Sequence, residues 1–254
     1  MVMRQIYKCY LCGKRITKNK TLLKQQNLSL ACKEHFIPRT FFPIDYKIAK
    51  NVQLRTLPAC HNCNNSFSNE EKNFYYFFGG LSSEVPGNDF ILNDLDRKLL
   101  IKHNATKQEI NNRLIDKKEL KTILTCCKSD LYYPNDDIVL NLDGTYSNDK
   151  RVRDMKDNVI WKIVKGMYYI GTDGMCLPNL EYKKIDFDTI RMSKEDLDSA
   201  NILFGKPVDG IEILYDDITK YAEIFMGRLI RHNKQHIAYI VLWKKWGFVR
   251  TFEL

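Results

Sequence analysis

The feature that most constrains how this 254-residue chain can fold is the placing of its cysteines. Cys9-Tyr10-Leu11-Cys12 and Cys60-His61-Asn62-Cys63 are two Cys-x-x-Cys pairs, with Cys32 between them and Cys126, Cys127 and Cys176 in no ligand pattern. A Cys-x-x-Cys turn aims two thiolates at one ion, and two such turns supply the four soft ligands of a closed tetrahedral zinc site. The N-terminus, Met-Val-Met-Arg-Gln-Ile-Tyr-Lys, carries no apolar signal segment, which predicts a reducing, cytoplasmic setting where cysteines serve metals rather than disulfides. About fifty residues separate Cys12 from Cys60, more than a compact zinc ribbon holds, so the chain between the knuckles carries structure of its own. No stretch approaches the ~18 uncharged apolar residues of a membrane helix, and no membrane partner is expected.

Charge gathers at the same end. The formal net charge is +9; residues 1–80 hold 13 Lys+Arg against 4 Asp+Glu, while residues 81–254 hold 27 of each. This implies an anionic partner, nucleic acid before a membrane surface, met by the cysteine-rich segment. The run Lys14, Arg15, Lys18, Lys20 and Lys24 reads as a solvated loop or, equally, as a phosphate track, with Lys14 and Arg15 its first contacts. Arg39 is the best single candidate for a phosphate clamp, because a planar guanidinium matches phosphate geometry.

The coarse pattern predicts an α+β chain in three parts. Residues 1–80 form a zinc-knuckle domain that ends in a helix over 65–78, whose Phe67, Phe74, Tyr75, Phe77 and Phe78 are core and which stops at Gly79-Gly80. A loop over 84–93 opens a helical connector, 81–135, with helices over 94–103 and 106–126. Residues 136–254 form a mixed α/β domain: a hairpin turning at Asp143-Gly144, a helix over 151–169, and a terminal antiparallel meander of runs 224–231, 236–243 and 248–253. Trp161, Trp243 and Trp246 are expected in the core, and His232 and His236 on a solvated sheet face.

The insert between the knuckles holds Glu34-His35-Phe36-Ile37-Pro38-Arg39, and the second knuckle runs into Asn64-Asn65. Adjacent strand residues point to opposite faces, so Glu34 and His35 serve one site only with different tasks or on a bent strand. A carboxylate and an amide oxygen are suitable hard ligands for one Mg²⁺, and a neutral imidazole can take a proton from an attacking water. Base, cation and positive surroundings are the parts of a one-metal phosphodiesterase. Asn64 also suits a helix N-cap. His61 is expected to be exposed, Cys32 to be a small buried residue, and Glu71 and Asn73 to lie on the helix surface.

The order Cys9-x-x-Cys12, Glu34-His35-x-x-Pro38, Asn51, Cys60-x-x-Cys63-Asn64 resembles the HNH endonuclease family, the zinc-knuckled branch of the ββα-metal nucleases. The resemblance covers about residues 9–74, and Phe67-Ser68-Asn69-Glu70-Glu71 is similar to a subgroup whose helix reads C-N-x-x-F-S-x-x-E. It implies a ββα-metal fold with His35 as general base, Glu34 and Asn64 as ligands of Mg²⁺ or Mn²⁺, and Asn51 as a loop tether. By the same resemblance Cys9, Cys12, Cys60 and Cys63 hold structural zinc. Asn64 stands where many members have His, and Glu34 where Asp is more frequent; hard oxygen ligands favour Mg²⁺ or Mn²⁺. The implied activity is hydrolysis of DNA phosphodiester bonds, with RNA as the alternative substrate, in a phage, mobile-element or antiphage-defence setting. The competing class is a non-catalytic zinc-knuckle nucleic-acid-binding protein. The C-terminal domain is expected to govern substrate, a protein partner or homodimerisation.

Overall fold

Gly13, at a φ of 73° that costs a residue without Cβ little, closes the first knuckle by donating its N–H to the Cys9 carbonyl at 2.8 Å. The turn joins β1 (Ile6–Lys8) to β2 (Arg15–Thr17), which pair antiparallel with Tyr7 opposite Ile16. This computed structural model describes residues 6–26, 28–43, 46, 54–79, 138–140, 146–148, 150–178, 185–204, 206, 207, 209–217 and 223–254. After the short helix α1 (Lys20–Gln26), β3 (Ser29–His35) lies parallel to β2, and β4 (Thr56–Cys60) returns antiparallel to β3 with Ala31 opposite Cys60 and His35 opposite Thr56. The order in this sheet is β1-β2-β3-β4.

Helix α2 (His61–Phe74) leaves β4 with no intervening loop and runs on through a π-helical turn, Tyr75–Gly79. It stops at the glycine as the sequence predicts but begins at His61 rather than near residue 65. Cys60 is its N-cap and Cys63 lies in its first turn, so one helical turn spaces the two sulfurs of the second knuckle.

Strands β5 (Ile138–Leu140) and β6 (Tyr146–Asn148) pair as the hairpin predicts, Leu140 opposite Tyr146. The turn at Asp143-Gly144, the loop over 84–93 and the helices expected over 94–103 and 106–126 lie outside the described residues. Helix α3 (Lys150–Gly171) is the long helix expected over 151–169. Then follow β7 (Ile185–Arg191), α4 (Lys194–Leu203), β8 (Glu212–Asp217), β9 (Phe225–His232), β10 (Gln235–Leu242) and β11 (Trp246–Glu253). The predicted terminal meander is β9-β10-β11; β8 and β7 extend it into a five-stranded antiparallel sheet, order β7-β11-β10-β9-β8. The architecture is mixed α+β.

The boundaries drawn at residues 80 and 136 divide the sequence but not the core. One hydrophobic cluster runs from Cys9, Phe41, Phe74 and Phe78 to Ile163, Trp243, Trp246 and Phe252. Phe41 and Trp243 stand 5.1 Å apart, and Phe78 and Trp246 5.3 Å in an edge-to-face contact. Both indoles donate across the sequence gap, Trp243 Nε1 to the Phe41 carbonyl at 3.2 Å and Trp246 Nε1 to that of Phe78 at 3.0 Å. Trp161 is half-buried against Phe252. Helix α3 packs between α2 and the β8-β9 edge of the large sheet. Gly166 lets it approach the chain just after β3 closely, since a Cβ there would stand 2.5 Å from the Phe36 Cβ. No helix among the described residues is long and apolar enough to cross a membrane.

Candidate metal centre and the carboxylate site beside it

The two knuckles meet as their spacing requires. The Sγ atoms of Cys9, Cys12, Cys60 and Cys63 all lie within 4.8 Å of one another, and those of Cys12 and Cys60 are 3.9 Å apart. Four sulfurs held about 2.3 Å from one ion in a tetrahedron stand about 3.8 Å apart, so the donor set and spacing fit zinc. The Tyr10 N–H donates to the Pro58 carbonyl at 3.0 Å and locks the first knuckle onto β4. Burial pushes the Cys9 thiol up to about 11 and the Cys63 thiol higher still. At Cys60 burial also acts upward, but hydrogen bonds from the Cys63 backbone and the neighbouring thiols outweigh it and the net shift is downward. Four thiolates this close together would repel one another, and a cation between them offsets that repulsion. Among the described residues this is the only group of three or more His, Cys, Asp or Glu side chains placed to hold a metal.

Helix α3 supplies a positive charge to this cluster. Lys165 Nζ donates to the Leu11 carbonyl inside the first knuckle at 2.8 Å, and burial lowers its pKa while the thiols of Cys63, Cys12 and Cys9 act in the opposite sense. Zinc with four thiolates carries two negative charges, which a neighbouring ammonium offsets. Cys32 lies apart from the cluster: half-buried, it donates its thiol to the Ala59 carbonyl at 3.3 Å across the β3-β4 pair.

One turn earlier on α3, Lys162 reaches the other predicted feature. Its side chain is fully buried, and Nζ donates to Glu34 Oε1 and to Glu71 Oε1. Glu34 leaves β3, Glu71 leaves α2 and Lys162 leaves α3, so three elements converge on one ammonium. Glu71 is therefore not helix surface; it is 8% exposed, and burial raises its pKa against the opposing effect of Lys162. The Phe67 ring lies 5.7 Å from the same ammonium, and Asn158 on α3 donates to Glu70 at 3.2 Å. Tyr10, fully buried, has a hydroxyl without a hydrogen-bond partner; burial first, then Glu34 and Glu71, hold its pKa well above the ordinary tyrosine value.

His35 ends β3 half-buried, and its pKa is lowered by burial, with Glu34 opposing and Arg39 and Lys162 adding to the effect. The lowered pKa favours the neutral imidazole. Arg39 is exposed and close enough to His35 to act on its charge. Asn64 lies in the first turn of α2, where its Oδ1 is buried without a hydrogen-bond partner. Helical spacing puts Asn64, Phe67 and Glu71 on one face of α2. Lys14 and Arg15 are exposed behind the first knuckle and are not among the charges acting on His35. His61 is exposed as expected and pairs with Asn65 at 3.0 Å. His236 is not on a solvated face; it is 2% exposed, stacked on Phe252 at 5.0 Å. Asn51 lies outside the described residues.

Sequence reasoning missed Lys162, Lys165 and Tyr10. A signal for the first was present: Lys162 interrupts the apolar run Val159-Ile160-Trp161-Lys162-Ile163-Val164, where a charge has to find a buried partner. No protein-family model matches the chain, and neither the curated proteins nor the solved structures contain a match to it.

Proposed function

We propose that this protein is a metal-dependent endonuclease of the HNH type that hydrolyses phosphodiester bonds in DNA. The observation that carries the reading is Asn64 Oδ1. A buried acceptor left without a partner costs about 1–3 kcal/mol, and this one stands directly after the last cysteine of the cluster, where the reading requires an oxygen ligand. Three further features support it. The strands β3 and β4 pair antiparallel and run straight into α2, so Glu34, His35 and Asn64 sit on contiguous elements beside the cysteine cluster. Burial lowers the His35 pKa, which favours the neutral state a general base needs. Arg39 is exposed next to it.

In this mechanism His35 accepts the proton of the attacking water, and Arg39 holds the phosphate by a paired hydrogen bond. Glu34 is oriented by Lys162 and would offer its second oxygen, as Asn64 would offer Oδ1, to Mg²⁺ or Mn²⁺. When bound, such an ion supplies charge stabilisation to the phosphate and the leaving oxygen. The cysteine cluster holds zinc and fixes the start of α2 relative to β4.

A second reading is favoured by one observation: Glu34 already has a cation, Lys162, as a purely structural carboxylate would. On that reading the protein is a non-catalytic zinc-knuckle nucleic-acid-binding protein. The test incubates zinc-loaded protein with supercoiled, linear, branched and single-stranded DNA and with RNA, with and without Mg²⁺ or Mn²⁺, beside His35→Ala. Cleavage should need the divalent ion and fall by ~10²–10⁴-fold in the variant. Binding without cleavage of any substrate would establish the second reading, undiminished cleavage by His35→Ala would remove His35 as the base, and cleavage of RNA alone would make the enzyme an RNase.

A further inference from the structure

The Lys162 ammonium occupies the space between two carboxylates, Glu34 and Glu71, and no other cation reaches either of them among the partners the structure gives these two residues. Two carboxylates and one ammonium leave one unit of negative charge in a site where all three side chains are at least mostly buried, 0% exposed at Lys162, 12% at Glu34 and 10% at Glu71. Glu34 meets Lys162 through Oε1 alone. The fully buried, unpartnered Tyr10 hydroxyl lies within the field of both carboxylates, and Asn64 Oδ1 is a second buried acceptor without a partner on the α2 face that carries Glu71. The site is thus neutralised on the side of α3 and left short of polar partners elsewhere.

We propose that Lys162 is a built-in cation of this site: by sharing its charge between Glu34 and Glu71 it positions Glu34 and sets how strongly that carboxylate binds a divalent ion. This rests on the nuclease reading for the role of that ion, not for the role of the lysine. Glu71 is its counter-anchor: by taking part of the ammonium's charge, it leaves Glu34 anionic enough to bind an ion through its other oxygen. Lys162 is therefore a positioning residue supplied by the C-terminal part of the chain, 128 positions away from Glu34.

The experiment measures Mn²⁺ binding to the zinc-loaded full chain by electron paramagnetic resonance, with zinc content and thermal unfolding recorded for every variant. Lys162→Met leaves two buried carboxylates facing each other and should bind Mn²⁺ about tenfold more tightly or more. Glu71→Gln, nearly isosteric, gives Glu34 the whole ammonium and should weaken Mn²⁺ binding by about tenfold. A folded, zinc-loaded Lys162→Met chain that binds Mn²⁺ as the wild type does overturns the proposal. If that variant does not fold, unchanged Mn²⁺ affinity in Glu71→Gln overturns it instead. Cleavage assays on the same samples separate the two readings. Shifted Mn²⁺ binding with no cleavage of any substrate keeps Lys162 in its role and removes the nuclease. Cleavage that depends on His35 with unshifted Mn²⁺ binding does the reverse.

Discussion

His236 shows how a single side chain can misreport its place when it is read from sequence. It lies in a tail with 6 basic residues and 1 acidic one over 224–254, which reads as a solvated basic face, yet its ring is stacked on Phe252 and edge-on to Tyr168 at 5.9 Å. Nδ1 is 3.1 Å from the Lys234 carbonyl, which fixes the neutral tautomer with its proton there, and Nε2 is buried without a partner. Burial lowers its pKa below the ordinary 6.5; the Lys234 carbonyl and Glu212 oppose the shift and Arg231 adds to it. The unfolded chain therefore binds this proton more readily than the folded one, so the stability due to neutral His236 is complete above about pH 6.5 and is lost as pH falls toward the lowered value. The melting temperature should drop between pH 7.5 and 5.5, and His236→Gln should drop less. Equal slopes in the two proteins would show that the buried ring does not couple to the proton. Glu71 misled in the same way: on α2 it follows Glu70 as if both were solvated, and only a lysine from a distant helix makes one of them interior.

At the scale of elements, what periodicity alone decides was legible. The meander strands and α3 fall within a residue or two of their expected limits, because an alternating or a 3.6-residue apolar pattern fixes a face and hence an element. Where a second constraint competes, the pattern fails. The start of α2 is set by Cys63 having to meet the other thiols, not by hydrophobic spacing, and the helix consequently begins at His61. Close packing is equally invisible in sequence. Gly166 reads as a weak point in α3, and Ala there would raise intrinsic helix stability by about 1 kcal/mol. A Cβ at that position would be 2.5 Å from the Phe36 Cβ, an atom fixed to the backbone just after β3, so the chain rather than a side-chain tip would have to shift. Gly166→Ala should therefore destabilise the protein, by about 1–3 kcal/mol, in urea unfolding. A stabilised variant would mean that α3 and the chain just after β3 are not held at this separation.

The whole molecule is organised by long-range pairs that no local pattern announces. The candidate site was legible as far as its motif residues, Glu34, His35, Asn64 and the four cysteines, and became illegible at Lys162 and Lys165, which come from the part of the chain with no net charge. Balanced charge in that region is not idle charge, since two of its lysines each offset part of the negative charge of one cluster in the basic segment. The aromatic contacts point the same way. Trp243 keeps a backbone φ of 51°, unusual for so large a side chain, while its indole is fully buried against Phe41, Phe74 and Tyr75. A shared core predicts shared cooperativity. Thermal unfolding of the zinc-loaded chain should be a single transition, coincident in circular dichroism and in tryptophan fluorescence, which reports from Trp161, Trp243 and Trp246 on the C-terminal elements. Cys60→Ser, or zinc removed by a chelator, should move that transition as a unit, because metal binding is part of the folding free energy. The tryptophans lie outside the knuckles, so they follow zinc loss only if the two ends of the chain fold together. Two separate transitions, with the tryptophan signal indifferent to zinc, would mean that the cysteine-rich segment folds on its own and that Lys162 and Lys165 dock onto it afterwards.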